Sequence, residues 1–283
     1  MNFLLATNTS TFDAFFRIVT EFGSEAFFII VIPPIYWCIN KKFGYRLLII
    51  TTIAAYISTV LKNLVAMERP PKHLWKTSAG PYAFPSGHAH GATTFWGYII
   101  VTTRQKFFLI LGTIMIALVA YSRVYLRVHY AGDVIGGIGL GIGTVALFIY
   151  FDPKITRIVK NLELRQKLSL GIIIPLLLLL CGILFYNNDS RGVKLSGALM
   201  GMLVGYSLEN EFIRFSVAVP GRVKVFRIII GLAISYTAYF VIGNMVPLNI
   251  ITRFFLAWLG GFTVTFIAPW LFVNMENTEE NKY

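Results

Sequence analysis

The chain has 283 residues, 56% of them hydrophobic and only 13% charged, with a mean hydropathy of +0.69. A soluble domain carries about 25% charged residues, so the composition excludes that class, and the lack of short alternating strands excludes a membrane β-barrel. The net charge of +12 is read as basic cytoplasmic loops and contact with anionic lipid, not as nucleic-acid binding, because no nucleic-acid signature accompanies it.

At the N-terminus "FLLA" gives way at once to "TNTST", which does not fit a cleavable leader. From there Phe12, Phe15, Phe16, Val19 and Phe22 form an apolar stripe, while Asp13, Arg17 and Glu21 share another face at four-residue spacing. Ser10 with Asp13 resembles a capping box. These features predict an amphipathic helix lying in the membrane interface.

Apolar segments follow at 24–40, 46–64, 88–104, 106–122, 131–151, 168–186, 194–208, 224–246 and 249–273. They predict an all-α, polytopic membrane bundle of roughly nine transmembrane helices. Pro33 and Pro34 are expected to kink the first. The third, "HAHGATTFWGYIIVTT", is too polar to face lipid all round and is expected to line the interior. Gly132/Gly136, Gly137/Gly141 and Gly139/Gly143, and Gly197, Gly201 and Gly205, predict close helix packing. Cys38 and Cys181 lie in apolar runs and read as buried small residues rather than a disulfide or zinc pair. About fifteen of the 25 Lys and Arg fall on the side of the 41–46 loop, Lys282 among them, which places that loop in the cytoplasm.

Three polar clusters then share the opposite, outer side. Lys62 precedes Arg69-Pro70 at the end of the second segment. Pro85-Ser86-Gly87-His88 opens the third, and "SRVYLRVHYAGD" (122–133) joins the fourth to the fifth. Lys62, Arg69 and Arg123 offer cationic donors that match phosphate oxygens. Ser86 is a plausible N-cap, so the amides of Gly87 and His88 would face an anion at a helix start, and Gly87 leaves room for its approach. His129 and Asp133 are four apart, so the carboxylate can hold one imidazole nitrogen and leave the other as a nucleophile. His88 is then a proton donor. Together these groups supply phosphoryl transfer without a metal or cofactor.

The patterns K-x6-R-P, P-S-G-H and S-R-x5-H-x3-D resemble the three signatures of the type 2 phosphatidic acid phosphatase superfamily, over about residues 24–152. The resemblance implies a histidine phosphatase. Lys62, Arg69, Ser86, Gly87, His88 and Arg123 would bind phosphate. His129 would form a phosphohistidine, His88 would protonate the leaving group, and Asp133 would orient His129. Ser122 matches without an assigned role and is expected to order its loop. The chain departs from many relatives in having the amphipathic stretch where they have a further span before the first motif. Its extra C-terminal helices look more like sphingosine-1-phosphate phosphatases and glucose-6-phosphatase. The substrate therefore stays open among phosphatidate, phosphatidylglycerophosphate, polyprenyl diphosphate, sphingoid phosphate and a sugar phosphate.

Residues 1–152 are thus expected to form a phosphatase core and 153–283 a transmembrane extension, in a prokaryotic cytoplasmic membrane with the site on the extracytoplasmic side. The expected partners are a lipid phosphate and membrane lipids, without nucleic acid; the sequence does not specify an oligomeric state. His90 is read as a lining or packing residue, and Arg127 as a possible extra phosphate contact. Lys72, His73, Trp75 and Lys76 fit either a headgroup contact or a solvated basic loop with an interfacial Trp. "LENEF" (208–212) and the acidic tail carry no assignment. A metal-dependent hydrolase using His88, His90, His129 and Asp133 is disfavoured, because three nearby basic residues would repel the cation. The alternative from another class is a transporter or binder that holds anionic headgroups without cleaving them, against which Asp133 beside a phosphate site counts.

Overall fold

The Ser10 hydroxyl accepts from the Asp13 amide at 3.3 Å and so starts the first helix, satisfying an amide that a helix start leaves without a partner. The structure, a computed structural model, describes residues 10–185, 190–237 and 249–280, and among them every regular element is helical. In chain order these are α1 (Thr11–Glu21), α2 (Glu25–Cys38), α3 (Lys41–Val65), a 3-10 turn (Lys72–Leu74), α4 (Gly87–Thr103), α5 (Lys106–Tyr125), α6 (Ala131–Lys160), α7 (Leu164–Phe185) and α8 (Ser190–Leu208). A π-helical turn (Glu209–Ile213) extends α8. Then come α9 (Gly221–Tyr236), α10 (Ile250–Phe262), a second π turn (Thr263–Ile267) and α11 (Ala268–Glu280).

Every apolar segment expected from the sequence falls on a helix, although the ends of the 168–186 and 224–246 segments lie outside the described residues, as do residues 1–9 and Lys282. Among the described residues five helices are long and apolar enough to cross a membrane: Lys41–Val65, Lys106–Tyr125, Ala131–Lys160, Leu164–Leu184 and Ile250–Glu276. The pair α1 and α2, bent by 49° at the break between them, makes a sixth if taken as one broken span. Helix α2 runs through Pro33 and Pro34 without interruption.

The chain divides into two compact units. The first comprises Met1–Phe28 and Ile57–Leu147 and contains all three polar clusters. Within it α4 buries Ala89, His90, Ala92, Thr93, Thr94, Phe95, Tyr98 and Ile99, as its polarity predicts. Helices α5 and α6 expose Phe107, Ile110, Ile114, Ile135 and Ile142, a surface suited to lipid rather than water.

The second unit comprises Ile29–Tyr56 and Phe148–Tyr283. Its core gathers Tyr36, Trp37, Cys38, Phe215, Ala268 and Phe272. Arg227, 1% exposed, donates to both carboxylate oxygens of Glu276 at 2.8 Å and to the carbonyls of Trp37 and Ser216. Gly197 and Gly201 let α8 lie against the α10 backbone at Phe254 and Trp258, and Gly205 faces the Thr265 hydroxyl. Cys181 corrects its expectation. It is exposed on α7 beside Leu177, Leu180 and Leu184, because this side of α7 is a continuous apolar surface, where a small apolar side chain needs no burial.

Candidate active site

Each cluster sits at a helix end. Lys62 lies in the last turn of α3, which Ala66 closes in the left-handed region at φ 47°. Ser86 is the N-cap of α4 and accepts from the Ala89 amide at 3.5 Å. Gly87 and His88, both half-buried, form the first turn, where a helix leaves its amides without intrahelical acceptors. Arg123 ends α5, His129 lies in the link to α6, and Asp133 is in the first turn of α6.

Main-chain carbonyls and amides join these ends. The Ser86 amide donates to the Asp133 carbonyl at 2.9 Å, tying the second cluster to the third. Lys62 Nζ donates to the carbonyls of Tyr82 and Ala83, both at 3.0 Å, and the Ala83 amide to the Met67 carbonyl at 2.8 Å. Arg69 Nε donates to the Gly80 carbonyl at 2.6 Å, and its Nη1 to the Val128 carbonyl at 2.5 Å. The first cluster is thereby bound to the loop before the second and to the strand of chain that carries His129.

The protonation state of His129 follows from its neighbours. Arg69 Nη1 lies 3.0 Å from His129 Nε2. A guanidinium only donates, so Nε2 accepts and the ring proton belongs on Nδ1. Nδ1 faces Asp133 Oδ2 at 3.3 Å, and the same oxygen accepts the Tyr130 amide at 2.8 Å. His129 is 3% exposed. Burial pushes its imidazole down to about 4; the Asp133 carboxylate opposes this, and the cations of Arg69, Lys62 and Arg123 add to it. At neutral pH the ring is uncharged, with a lone pair on Nε2. Burial also lowers Arg69 to about 10, against the pull of Asp133, and leaves it a cation.

Arg123, 3% exposed, donates through Nη1 to the Thr20 hydroxyl at 2.7 Å, while its Nε is buried without a protein partner. That donor suits an anion. Thr20 was not legible as a site residue, and neither was Gly23, where an added Cβ would lie 2.8 Å from the His88 carbonyl. Helix α1 therefore forms a wall of the site. Phe16 packs on Tyr125 at 4.4 Å between ring centroids, and Asp13 accepts from Lys76 Nζ at 2.7 Å and from the Tyr125 hydroxyl at 2.8 Å. In the sequence Thr20 stands out only as a polar residue one turn after Phe16, which does not mark it as part of a site.

Three further residues singled out in the sequence can now be placed. Arg127 is exposed, with φ 57° just past the end of α5. Ser122 donates to the Val119 carbonyl at 2.6 Å, and its own carbonyl accepts the Leu126 amide at 2.8 Å, so it shapes the turn that leads to His129. Lys76 is paired with Asp13 rather than solvated, and Trp75 Nε1 donates to the Pro70 carbonyl at 2.7 Å.

An uncharged, carboxylate-oriented imidazole beside cations at the ends of apolar helices can receive a phosphate anion next to a nitrogen lone pair. The chain belongs to the PAP2 superfamily, whose family model matches residues 43–157. A second model, described as the transmembrane extension of PAP2 superfamily phosphatases, matches residues 193–280, and the chain is an integral membrane protein. It is 30% identical over 244 residues to sphingosine-1-phosphate phosphatase 1 of Rattus norvegicus, covering 75% of this chain and 55% of that protein. It is 35% identical over 133 residues to undecaprenyl-diphosphatase of Sulfolobus acidocaldarius, covering 45% and 63%. It is also 29% identical over 152 residues to phosphatidylglycerophosphatase B of Bacillus subtilis, covering 49% and 74%. The chain thus spans about half the length of the sphingosine-1-phosphate phosphatase it matches.

Proposed function

We propose that the protein is a metal-independent phosphatase that hydrolyses a lipid phosphomonoester or diphosphate through a phosphohistidine on His129. The observation that carries this is the Arg69–His129–Asp133 chain, in which Nε2 holds a lone pair, Nδ1 holds the proton and a guanidinium stands beside the attacking atom. A phosphate drawn to Arg69 would arrive next to Nε2. Lys62, Arg69, Arg123 and the first turn of α4 from Ser86 and Gly87 would hold its oxygens and offset the charge that grows in the transition state. The Nε2 lone pair attacks phosphorus as the bond to the lipid oxygen breaks, and His88 gives that oxygen a proton. Water then attacks the phosphohistidine, His88 takes its proton, and inorganic phosphate leaves.

In this proposal residues 1–152 form the catalytic core and 153–283 a transmembrane extension. The helices make roughly nine spans, α1 lies in the interface, and the site faces outward from a prokaryotic cytoplasmic membrane. The relatives' names, sphingosine-1-phosphate phosphatase, undecaprenyl-diphosphatase and phosphatidylglycerophosphatase, support a lipid phosphate as the substrate class. The test uses purified protein in detergent with excess chelator, a short-chain lipid phosphate and nitrophenyl phosphate. Wild type should release phosphate from both, and His129→Ala from neither. His88→Ala should lose about 10²–10⁴ in rate on the lipid phosphate, where the leaving alkoxide needs a proton, yet release one burst of nitrophenol. Turnover that vanishes with chelator and returns with a single divalent ion would overturn the mechanism.

A further inference from the structure

We infer that His90 is a positioning residue for the phosphate site, acting through a buried Ser58–His90–Thr144 layer beneath it; this rests on the phosphatase reading. His90 is 0% exposed, Ser58 1% and Thr144 8%. Ser58 Oγ lies 2.7 Å from His90 Nδ1, and His90 Nε2 lies 3.0 Å from Thr144 Oγ1. A neutral imidazole has one donor and one acceptor, and a hydroxyl serves as either, so both ring nitrogens are matched whichever carries the proton.

The layer draws one member from each of three helices that build the site. Ser58 precedes Lys62 by four residues on α3, one turn along the same face. The His90 amide donates to the Ser86 carbonyl at 3.0 Å, one turn below the α4 cap. Thr144 follows Asp133 by eleven residues on α6, three turns along the same face. Between them Gly137 and Gly141 bring α6 against α4: an added Cβ would lie 2.6 Å from the Ser86 carbonyl and 2.5 Å from Thr93 Cβ respectively.

An apolar trio of similar shape would fill this space and leave no polar group to satisfy inside an apolar bundle. What hydrogen bonds add is direction. Dispersion tolerates sliding of one helix along another, whereas two bonds to one ring fix the registers of α3 and α6 on α4. That register sets Lys62, the Ser86 turn and Asp133 against one another, and a displacement of about 1 Å at such a site costs up to about 10²-fold in rate.

The test compares full-length wild type with His90→Leu, His90→Gln and the triple variant Ser58→Ala/His90→Leu/Thr144→Val in detergent. Turnover is measured with nitrophenyl phosphate. Binding of orthovanadate, which mimics five-coordinate phosphorus, and of inorganic phosphate is measured by thermal shift. His90→Leu should lower kcat at least about tenfold with KM changed less than about threefold, because the misplaced groups matter most in the transition state. Vanadate binding should weaken by the same factor, and phosphate binding by less than about threefold. His90→Gln, whose amide can donate and accept, should recover most of the loss. The triple variant leaves no unpaired polar group in the layer, so it should melt no lower than wild type yet stay as slow as His90→Leu. A triple variant with wild-type kcat, or a His90→Leu protein with wild-type vanadate affinity, overturns the inference alone. A wild type that neither turns over nor binds vanadate overturns the phosphatase reading and the inference with it.

Discussion

The role proposed for His129 depends on its charge state, and that state is set by burial. Its imidazole titrates at about 4 in the folded protein, against 6.5 for an ordinary histidine. Between these values the unfolded chain binds more protons than the folded one, so stability is full above pH 6.5 and is lost as the pH falls toward 4. The melting temperature of wild type in detergent should therefore drop more steeply than that of His129→Gln between about pH 7 and about pH 4.5. Equal slopes would mean that His129 titrates like an exposed ring. Arg69 has two tasks at this scale. It holds Nε2 as an acceptor, and its cation adds to burial in keeping the imidazole uncharged.

At the scale of elements, the approach of α6 to α4 decides whether the clusters meet. The glycines of α6 divide by what they meet. Gly136, Gly137 and Gly141 face Phe84, the Ser86 carbonyl and Thr93, whereas an added Cβ at Gly132, Gly139 or Gly143 would meet nothing within 4 Å. Gly137→Ala should displace the α4 cap from Asp133, because its obstacle is a backbone carbonyl that no rotamer change can move. A destabilisation of about 1–3 kcal/mol and a loss of most turnover are expected. Gly139→Ala should keep full activity and melt slightly higher, since alanine favours a helix by roughly 0.5–1 kcal/mol over glycine. Melting curves and phosphate release on the two purified variants check this pair. Equal effects would show that α6 is not held against α4 at Gly137.

At the scale of the whole molecule, the loop charges predict which side of the membrane carries the site. In a background with Cys38 and Cys181 changed to Ser, Lys72→Cys should react with a membrane-impermeant thiol reagent in intact cells. Lys160→Cys should react only after permeabilisation. Lys72 suits this purpose because it is exposed and outside the Lys76–Asp13 pair. Labelling of the Lys160→Cys protein alone would turn the site toward the cytoplasm. The unit of Ile29–Tyr56 and Phe148–Tyr283 has its own ion pairs, each with one buried and one half-buried partner, Arg227 with Glu276 and Lys41 with Glu209. Removing Glu276 or Lys41 would leave Arg227 or Glu209 as a buried charge without its counter-ion, which is destabilising.

Composition alone determined that this is a membrane protein, because so apolar a chain has too few charges to cover a soluble surface. Hydrophobic runs set the helical segments, and short-range chemistry set their ends: Ser10 and Ser86 cap as their positions imply, since an N-cap acts within three residues. The spacing of His129 and Asp133 likewise encodes a contact one helical turn long. The tertiary structure decided what no local spacing encodes. It showed that Thr20 of α1 and Gly23 just past its end wall the site, that Lys62 is anchored on the Tyr82 and Ala83 carbonyls, and that His90 bonds Ser58 and Thr144. It also separated the packed glycines of α6 from the open ones, which repeat at the same four-residue spacing. The physical reason is common to all of these. A helix repeats its faces every turn whatever surrounds it, and only the neighbouring helices determine which face is covered and which polar group finds a partner.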